Sequence, residues 1–278
     1  MKTKTKIFFA KIIYCFLLFL IKKRQGIFKR NNINWNLDLS EGIDLSLFLF
    51  GSFQKEITRS MIKLIYKKNF STGISIIDVG SNIGDKVLSL GQKLISDNFK
   101  KFKIYSIEPT DFAYRKQIVN LNLNPQIKKK ISVFKTFISL KKKLPKSVYS
   151  SWSLKHTNNQ HNIHGGSLKS INSRTEILTL DKFVKENKIT NQIILKIDVD
   201  GFEMEVLKSF INNIKNNNPI IFMEYAPYAL EEQGTSISFF KKFLKKNKFE
   251  IYDLNLKKLD TIKTILGSSI DIILIKKN

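Results

Sequence analysis

A glycine-containing turn follows a buried apolar run, ISIID, at residues 74–78. The turn reads DVGSNIG over residues 78–84 and leads into a helical pattern. At the carboxyl end of a parallel strand, such a turn places backbone N–H groups and a helix N-terminus beside a ligand. Glycine also lets a ligand approach the backbone closely. The pattern predicts a cofactor-binding loop that contains Asp78, Gly80, Ser81, Asn82 and Gly84.

The type of cofactor follows from what the loop lacks and from its first residue. A dinucleotide loop reads Gly-x-Gly-x-x-Gly, whereas Asn82 stands where the second glycine would be. The Asp78 carboxylate would repel a pyrophosphate but would attract a cationic ammonium group. S-adenosylmethionine carries an ammonium and a sulfonium, so the loop favours S-adenosylmethionine over NAD.

Glu108 ends the next predicted strand, FKIYSIE at residues 102–108. A carboxylate at this position can accept hydrogen bonds from both hydroxyl groups of a ribose. The alternative is an ordinary acid at the end of a strand. Because the glycine loop precedes it, we predict that Glu108 binds the cofactor ribose.

Four ionisable residues lie within KIDVDGFE at residues 196–203, at the end of an apolar strand. Alternation along a strand places Lys196 and Asp198 on the same face, and neighbouring carboxylates there perturb each other's pKa. Glu224 ends the following strand, PIIFMEY, and would reach the same edge of the sheet. We predict that Asp198, Lys196 and Glu224 are catalytic. Asp198 and Glu224 could hold a divalent ion or act without one, and a metal is not predicted.

Three histidines, His156, His161 and His164, lie in a polar stretch over residues 141–175. In an α/β enzyme such a stretch often covers the substrate. Histidine titrates near neutral pH, so one of them is an alternative general base to Asp198. The other interpretation is that they are solvated loop residues.

The elements that would position these residues alternate between short β-branched runs and amphipathic stretches, which indicates βαβ units and a parallel sheet. Strands are predicted at 74–78, 102–108, 131–138, 192–198 and 219–225, followed by an antiparallel edge pair at FEIYDLN and IDIILIK. Helices are predicted over 111–123, with Asp111 as N-cap, over 201–214, and in SISFFKKFLKKNK. The sequence therefore predicts an α/β fold.

The composition restricts the function. The chain of 278 residues has a formal net charge of +25, which would attract nucleic acid or an anionic membrane. A uniform bias towards Lys, Asn and Ile explains the charge equally well, and no basic–aromatic nucleic-acid motif is present, so no specific nucleic-acid partner is expected. Cys15 is the only cysteine, which excludes an intrachain disulfide.

Residues 1–30 form a basic and apolar segment that we assign separately from a domain at 31–278. Its uninterrupted apolar run covers 12–21, whereas a membrane-spanning helix needs about 20 residues. Three interpretations remain: a signal peptide, an anchor or interfacial helix on anionic lipid, and a helix packed on the domain. We expect a cytoplasmic protein, attached to the inner face of the membrane if this segment binds lipid.

Five blocks together resemble the FkbM-type methyltransferases in order and spacing: IIDVGSNIGDKVLSL, YSIEP, TEILTLDKFV, ILKIDVDGFEMEVLKSF and PIIFMEY. The resemblance implies a Rossmann-like class I fold with a seven-stranded, mostly parallel sheet and helices on both faces. It implies S-adenosylmethionine as methyl donor, bound by Asp78, Gly80, Asn82, Gly84 and Glu108. It also implies O-methylation of a saccharide, a lipid or another small metabolite, with Asp198 and Lys196 facing the methyl group.

Three other functions fit the sequence less well. A dehydrogenase would need the missing second glycine. A membrane-attached binding protein that retains the fold without activity is disfavoured because Asp78, Gly80 and Glu108 are present. A nucleic-acid methyltransferase that acts on an amino group would often carry an Asn-Pro-Pro-Tyr-like block where this chain has DVDG.

Overall fold

The computed structural model describes residues 3–70, 72–154, 161–163, 165–262 and 268–277. The strands in these residues are β1 (Gln25–Arg30), β2 (Ile33–Asp38), β3 (Ile74–Val79), β4 (Phe102–Ile107), β5 (Ile131–Phe134), β6 (Thr136–Ile138), β7 (Ser147–Tyr149), β8 (Leu168–Ser170), β9 (Glu176–Leu178), β10 (Gln192–Ile197), β11 (Ile220–Tyr225), β12 (Phe249–Tyr252), β13 (Lys258–Leu259) and β14 (Ile270–Lys276). The helices are α1 (Thr3–Ile21), α2 (Gly42–Phe50), α3 (Lys55–Lys68), α4 (Asp85–Ser96), α5 (Asp111–Asn122), α6 (Pro125–Lys128), α7 (Leu180–Glu186), α8 (Glu203–Ser209), α9 (Ile211–Asn216), α10 (Pro227–Glu232) and α11 (Ile237–Lys246).

The main sheet has the order β13-β12-β14-β11-β10-β3-β4-β5 across the described residues. In this sheet β11, β10, β3, β4 and β5 are parallel, and β14, β12 and β13 are antiparallel to their neighbours. The predicted α/β, Rossmann-like, mostly parallel sheet is confirmed. It has eight strands rather than seven because the two-residue strand β13 extends one edge.

Both faces of the sheet are covered, which explains why its central strands read as apolar runs. Every residue of β3 is buried. Ile76 packs into one core with Met61 of α3 and Leu88 of α4. Ile77 packs into the other core with Phe183 of α7. The prediction of helices on both faces is therefore confirmed.

Several element boundaries differ from the sequence prediction. The predicted strand over 131–138 is two strands, because β6 leaves the main sheet to pair with β9. The predicted helix over 201–214 is interrupted at Phe210. The cap residue before α5 is Thr110 rather than Asp111. The predicted antiparallel pair β12–β14 forms, but β14 lies inside the sheet and β13 is at the edge.

The N-terminal segment consists of α1 followed by an antiparallel hairpin in which β1 pairs with β2. The predicted boundary at residue 30 lies at the turn of this hairpin. No helix in the described part of the chain has the length and apolar character to cross a bilayer.

The order of the strands locates a ligand crevice. Strand β3 lies between β4 and β10, so the connections that leave β3 and β10 run to opposite faces of the sheet. Ligands of open α/β sheets bind at the carboxyl ends of strands at such a switch point. The turns after β3, β4 and β10 therefore form the candidate site.

Candidate functional site

The turn after β3 is shaped by Gly80. Its backbone has a φ of +82°, and a Cβ at this position would lie 1.9 Å from the carbonyl oxygen of Asp198. Its N–H donates to the carbonyl oxygen of Ile107, at 3.0 Å. A side chain would therefore clash and strain the backbone, and glycine lets the ends of β3, β4 and β10 approach one another.

Glu108 is buried and its two carboxylate oxygens are fixed by different donors. The backbone N–H of Asn82 donates to Oε2 at 2.9 Å. The N–H and hydroxyl of Thr110 donate to Oε1 at 2.9 and 2.6 Å. Burial raises the pKa of Glu108, although these hydrogen bonds oppose the shift. Oε2 accepts one described hydrogen bond, so it has lone-pair capacity for a ligand hydroxyl.

The other predicted loop residues take different positions. Asn82 has a φ of +50°, and its side-chain amide donates to the hydroxyl of Ser150 at 3.1 Å. Ser81 donates to the side-chain oxygen of Gln117 at 3.2 Å. Gly84 also has positive φ, and a Cβ there would lie 2.9 Å from Gln117. These contacts fasten the loop to α5 and to the segment after β7.

Asp78 and Lys196 form a buried ion pair beneath the loop. They are directly opposite in the register of β3 and β10, and Lys196 Nζ lies 3.1 Å from Asp78 Oδ1. The same ammonium lies 3.3 Å from Asp198 Oδ2 and donates to the carbonyl oxygen of Gly80 at 3.2 Å. Burial opposes the charge on Lys196, but Asp198 and Asp78 outweigh it and raise the pKa of Lys196.

The residues that line the candidate site enclose two cavities. The first, which we name the acidic cavity, has Phe53 and Trp152 in its walls. Its charged lining residues are Asp85, Lys86, Lys196, Asp198, Asp200 and Glu224. The second, which we name the apolar cavity, is lined by Glu108 and by apolar residues that include Pro109, Phe137, Ile138, Phe202 and Val206. Gly80, Asn82 and Asp198 line both cavities. Asp78 and Gly84 are absent from both linings.

Carboxylates are concentrated around Asp198. Burial, followed by the charge of Asp198, raises the pKa of Asp200 and of Glu224 well above the usual values. The same two causes raise the pKa of Asp271 to about 6. The structure brings the predicted residues Lys196, Asp198 and Glu224 together, and all three line the acidic cavity.

Glu203 stabilises the turn between β10 and α8. Its Oε1 accepts hydrogen bonds from the N–H groups of Val199 and Gly201, both at 3.2 Å. Glu203 is 1% exposed, and burial raises its pKa to about 7. These hydrogen bonds fix the backbone of the turn that contains Asp198 and Asp200.

Sequence reasoning missed Lys86 and the walls that come from distant parts of the chain. Lys86 is buried, contacts Asp85 and donates to the carbonyl oxygen of Phe53. A lysine in the first turn of a helix is unfavourable for the helix dipole, and this signal could have identified it. Trp152 lies in the predicted covering stretch, and its carbonyl oxygen accepts from the N–H of Gly42 at 2.9 Å.

His161, the one predicted histidine among the described residues, does not line the site. His161 contacts Glu232, with Nε2 2.9 Å from the carboxylate, and its ring packs against Tyr149. It lines neither the acidic nor the apolar cavity. His156 and His164 lie outside the described residues.

A metal site is not evident in the described part of the chain. No group of three or more His, Cys, Asp or Glu side chains there is arranged to hold a metal ion. Lys196 instead provides the positive charge next to Asp198.

Comparison with known protein families identifies the family to which the chain belongs. The family described as "Methyltransferase FkbM domain" matches residues 78–251. No curated protein matches the chain.

Solved structures with a similar arrangement include three methyltransferases. A methyltransferase from Clostridium acetobutylicum ATCC 824 is 9% identical, with 84% of this chain and 97% of that chain covered and a TM-score of 0.44. Human methyltransferase 10 domain containing protein is 12% identical, with 96% of both chains covered and a TM-score of 0.43. Magnesium protoporphyrin IX methyltransferase from Synechocystis PCC 6803 is 9% identical, with 80% and 79% covered and a TM-score of 0.41.

Proposed function

Because the chain belongs to the family of FkbM-domain methyltransferases, we propose that it transfers a methyl group from S-adenosylmethionine to a hydroxyl group of a saccharide, a lipid-linked glycan or another small metabolite. The observation that carries the proposal is the buried carboxylate of Glu108, held by Asn82 and Thr110 at the wall of the apolar cavity. The family match spans every residue predicted for the site.

The residues around the two cavities fit S-adenosylmethionine. Glu108 would accept the ribose hydroxyls, and the apolar wall that includes Phe137 and Val206 suits a purine base. Lys86 uses two of its three N–H donors on Phe53 and Asp85 among the described residues, so the third suits the carboxylate of the amino acid moiety. When bound, S-adenosylmethionine supplies an activated methyl group on a positively charged sulfur.

The acidic cavity is proposed to hold the acceptor. A hydroxyl acceptor must lose its proton, and a positioned base assists this loss. Asp198 lines the cavity, and the ammonium of Lys196 lies 3.3 Å from its carboxylate. Asp198 therefore accepts the proton of the acceptor, and Lys196 orients Asp198 from its buried position. Trp152 and Phe53 line the same cavity and offer flat apolar surfaces to a sugar ring.

Calorimetric titration of S-adenosylmethionine into the full chain tests this proposal. We expect saturable binding that weakens about tenfold or more in Glu108→Gln, since a hydrogen bond to a charged group contributes about 1.5–3 kcal/mol. Asp111→Asn is the matched control, because Asp111 lies on the same connection and pairs with Lys135 rather than lining a cavity. A folded wild-type chain that binds no S-adenosylmethionine would overturn the proposed function.

A further inference from the structure

Helix α1 has large apolar side chains on most of its circumference, yet the domain covers only one side. Ala10 is buried in the core next to the β1–β2 hairpin, and Tyr14, Leu17 and Ile21 pack against the same core. These positions recur every three or four residues, as expected for one face of a helix. Packing therefore fixes α1 on the domain along this face.

The opposite face of α1 is a continuous exposed surface of large apolar side chains, which we name the apolar stripe. Its members, between 38% and 78% exposed, are Phe8, Phe9, Ile12, Ile13, Phe16, Phe19 and Leu20. They follow the helical spacing i, i+4, i+8, so they form one strip about 18 Å long. Soluble proteins rarely expose contiguous apolar patches of this kind without a partner.

Positive charge borders the apolar stripe. Lys11 lies at its edge, and Lys22 and Lys23 follow the end of the helix; all three are exposed. The sequence of α1 contains no acidic residue. An apolar face with lysines at its border complements a bilayer with anionic head groups. The apolar side chains can enter the lipid while the lysine ammonium groups contact the head groups.

We propose that the apolar stripe binds an anionic lipid bilayer, with α1 lying in the plane of the interface. The helix does not need to cross the bilayer, because Ala10 and Leu17 remain packed on the domain while the phenylalanines enter the lipid. A second copy of the chain fits less well, since two surfaces bordered by lysines on chains of net charge +25 would repel each other. This inference does not depend on the methyltransferase activity.

The single cysteine provides a direct assay on the full chain. Cys15 is exposed and lies on the helix between Lys11 and the apolar stripe. The emission maximum of an environment-sensitive fluorophore on Cys15 should shift to shorter wavelength when vesicles of phosphatidylcholine and phosphatidylglycerol are added. Partition into these vesicles should be at least about tenfold stronger than into pure phosphatidylcholine. Absence of binding, or equal binding to both vesicles, would overturn the proposal.

Two pairs of substitutions separate the stripe from general hydrophobicity. Phe16→Ser with Phe19→Ser should weaken vesicle binding by at least about tenfold, because both rings would leave the lipid. Phe112→Ser with Phe239→Ser removes two exposed rings from α5 and α11 and should leave binding unchanged. Sedimentation velocity gives the competing outcome: a dimer that the first pair dissociates would assign the stripe to a second copy instead.

Discussion

At the level of single residues, the site depends on one lysine between two aspartates. Lys196 has Asp78 on its buried side and Asp198 on its cavity side. A buried ammonium is costly unless it is paired, and here two carboxylates share that role. The consequence is that Asp198, the partner that reaches the acidic cavity, is held at a defined position in its wall.

Asp198, the proposed base, is the first residue to test. We expect Asp198→Asn to lower kcat by about 100-fold or more, because the amide cannot accept the acceptor proton. Its affinity for S-adenosylmethionine should stay within about threefold, since Lys196 keeps Asp78 as partner. Steady-state kinetics and calorimetry on the same preparation measure both values. Asp260→Asn, at an exposed position, is the control, and full turnover in Asp198→Asn would show that another group is the base.

The sequence could indicate which residues stand at the strand ends but not which of them touch. Asp78 was expected to attract the ammonium of the cofactor, whereas the structure places the ammonium of Lys196 beside it. This contact follows from the register between β3 and β10, which joins residues far apart in the chain. Asp198 and Glu224 were expected to be neighbours because strand ends converge, and both line the acidic cavity.

At the level of elements, apolar patterning predicted β3, β4, β10 and β11 to within about one residue, since buried parallel strands have a strong signature. It failed where a non-local contact decides the boundary. The chain leaves the main sheet after Phe134 because β6 pairs with β9. No local feature of residues 131–138 reports that pairing.

The turn between β10 and α8 gives a prediction on pH. Glu203 caps this turn with a pKa raised to about 7, compared with about 4.3 in an unfolded chain. The folded state therefore retains a proton that the unfolded state loses. Its contribution to stability is complete below about pH 4 and is lost as the pH rises through about 7.

We expect Glu203→Gln to flatten this part of the stability–pH curve by up to about 3 kcal/mol, because glutamine does not titrate. Urea denaturation between about pH 4 and about pH 8, the range over which Glu203 titrates in the two states, measures the effect. Glu205→Gln on the same helix is the matched control, since Glu205 accepts from Ser139 instead of capping the turn. An unchanged slope in Glu203→Gln would mean that Glu203 is ionised throughout.

At the level of the whole molecule, the acidic cavity is assembled from parts of the chain that are far apart in sequence. Ile43 and Phe53 come from the segment before β3, Trp152 comes from the segment after β7, and Asp198 comes from the turn after β10. The segment before β3 is attached through β2, whose Asn36 N–H donates to the side-chain oxygen of Asn120 at 2.8 Å. The hairpin that contains β2 therefore supports a wall of the site.

Two shortened chains test where the folded unit begins. Strand β1 pairs with β2 along six residues, Phe28 stacks edge-on against Phe48, and Arg30 donates to the carbonyl oxygen of Phe48 at 2.6 Å. A chain that begins at Lys22 keeps these contacts, whereas one that begins at Asn31, the boundary predicted from the sequence, loses them. We expect the second to be less stable than the first by at least about 2 kcal/mol. Urea denaturation of both chains measures the difference, and equal stability would place the hairpin's first strand outside the folded unit.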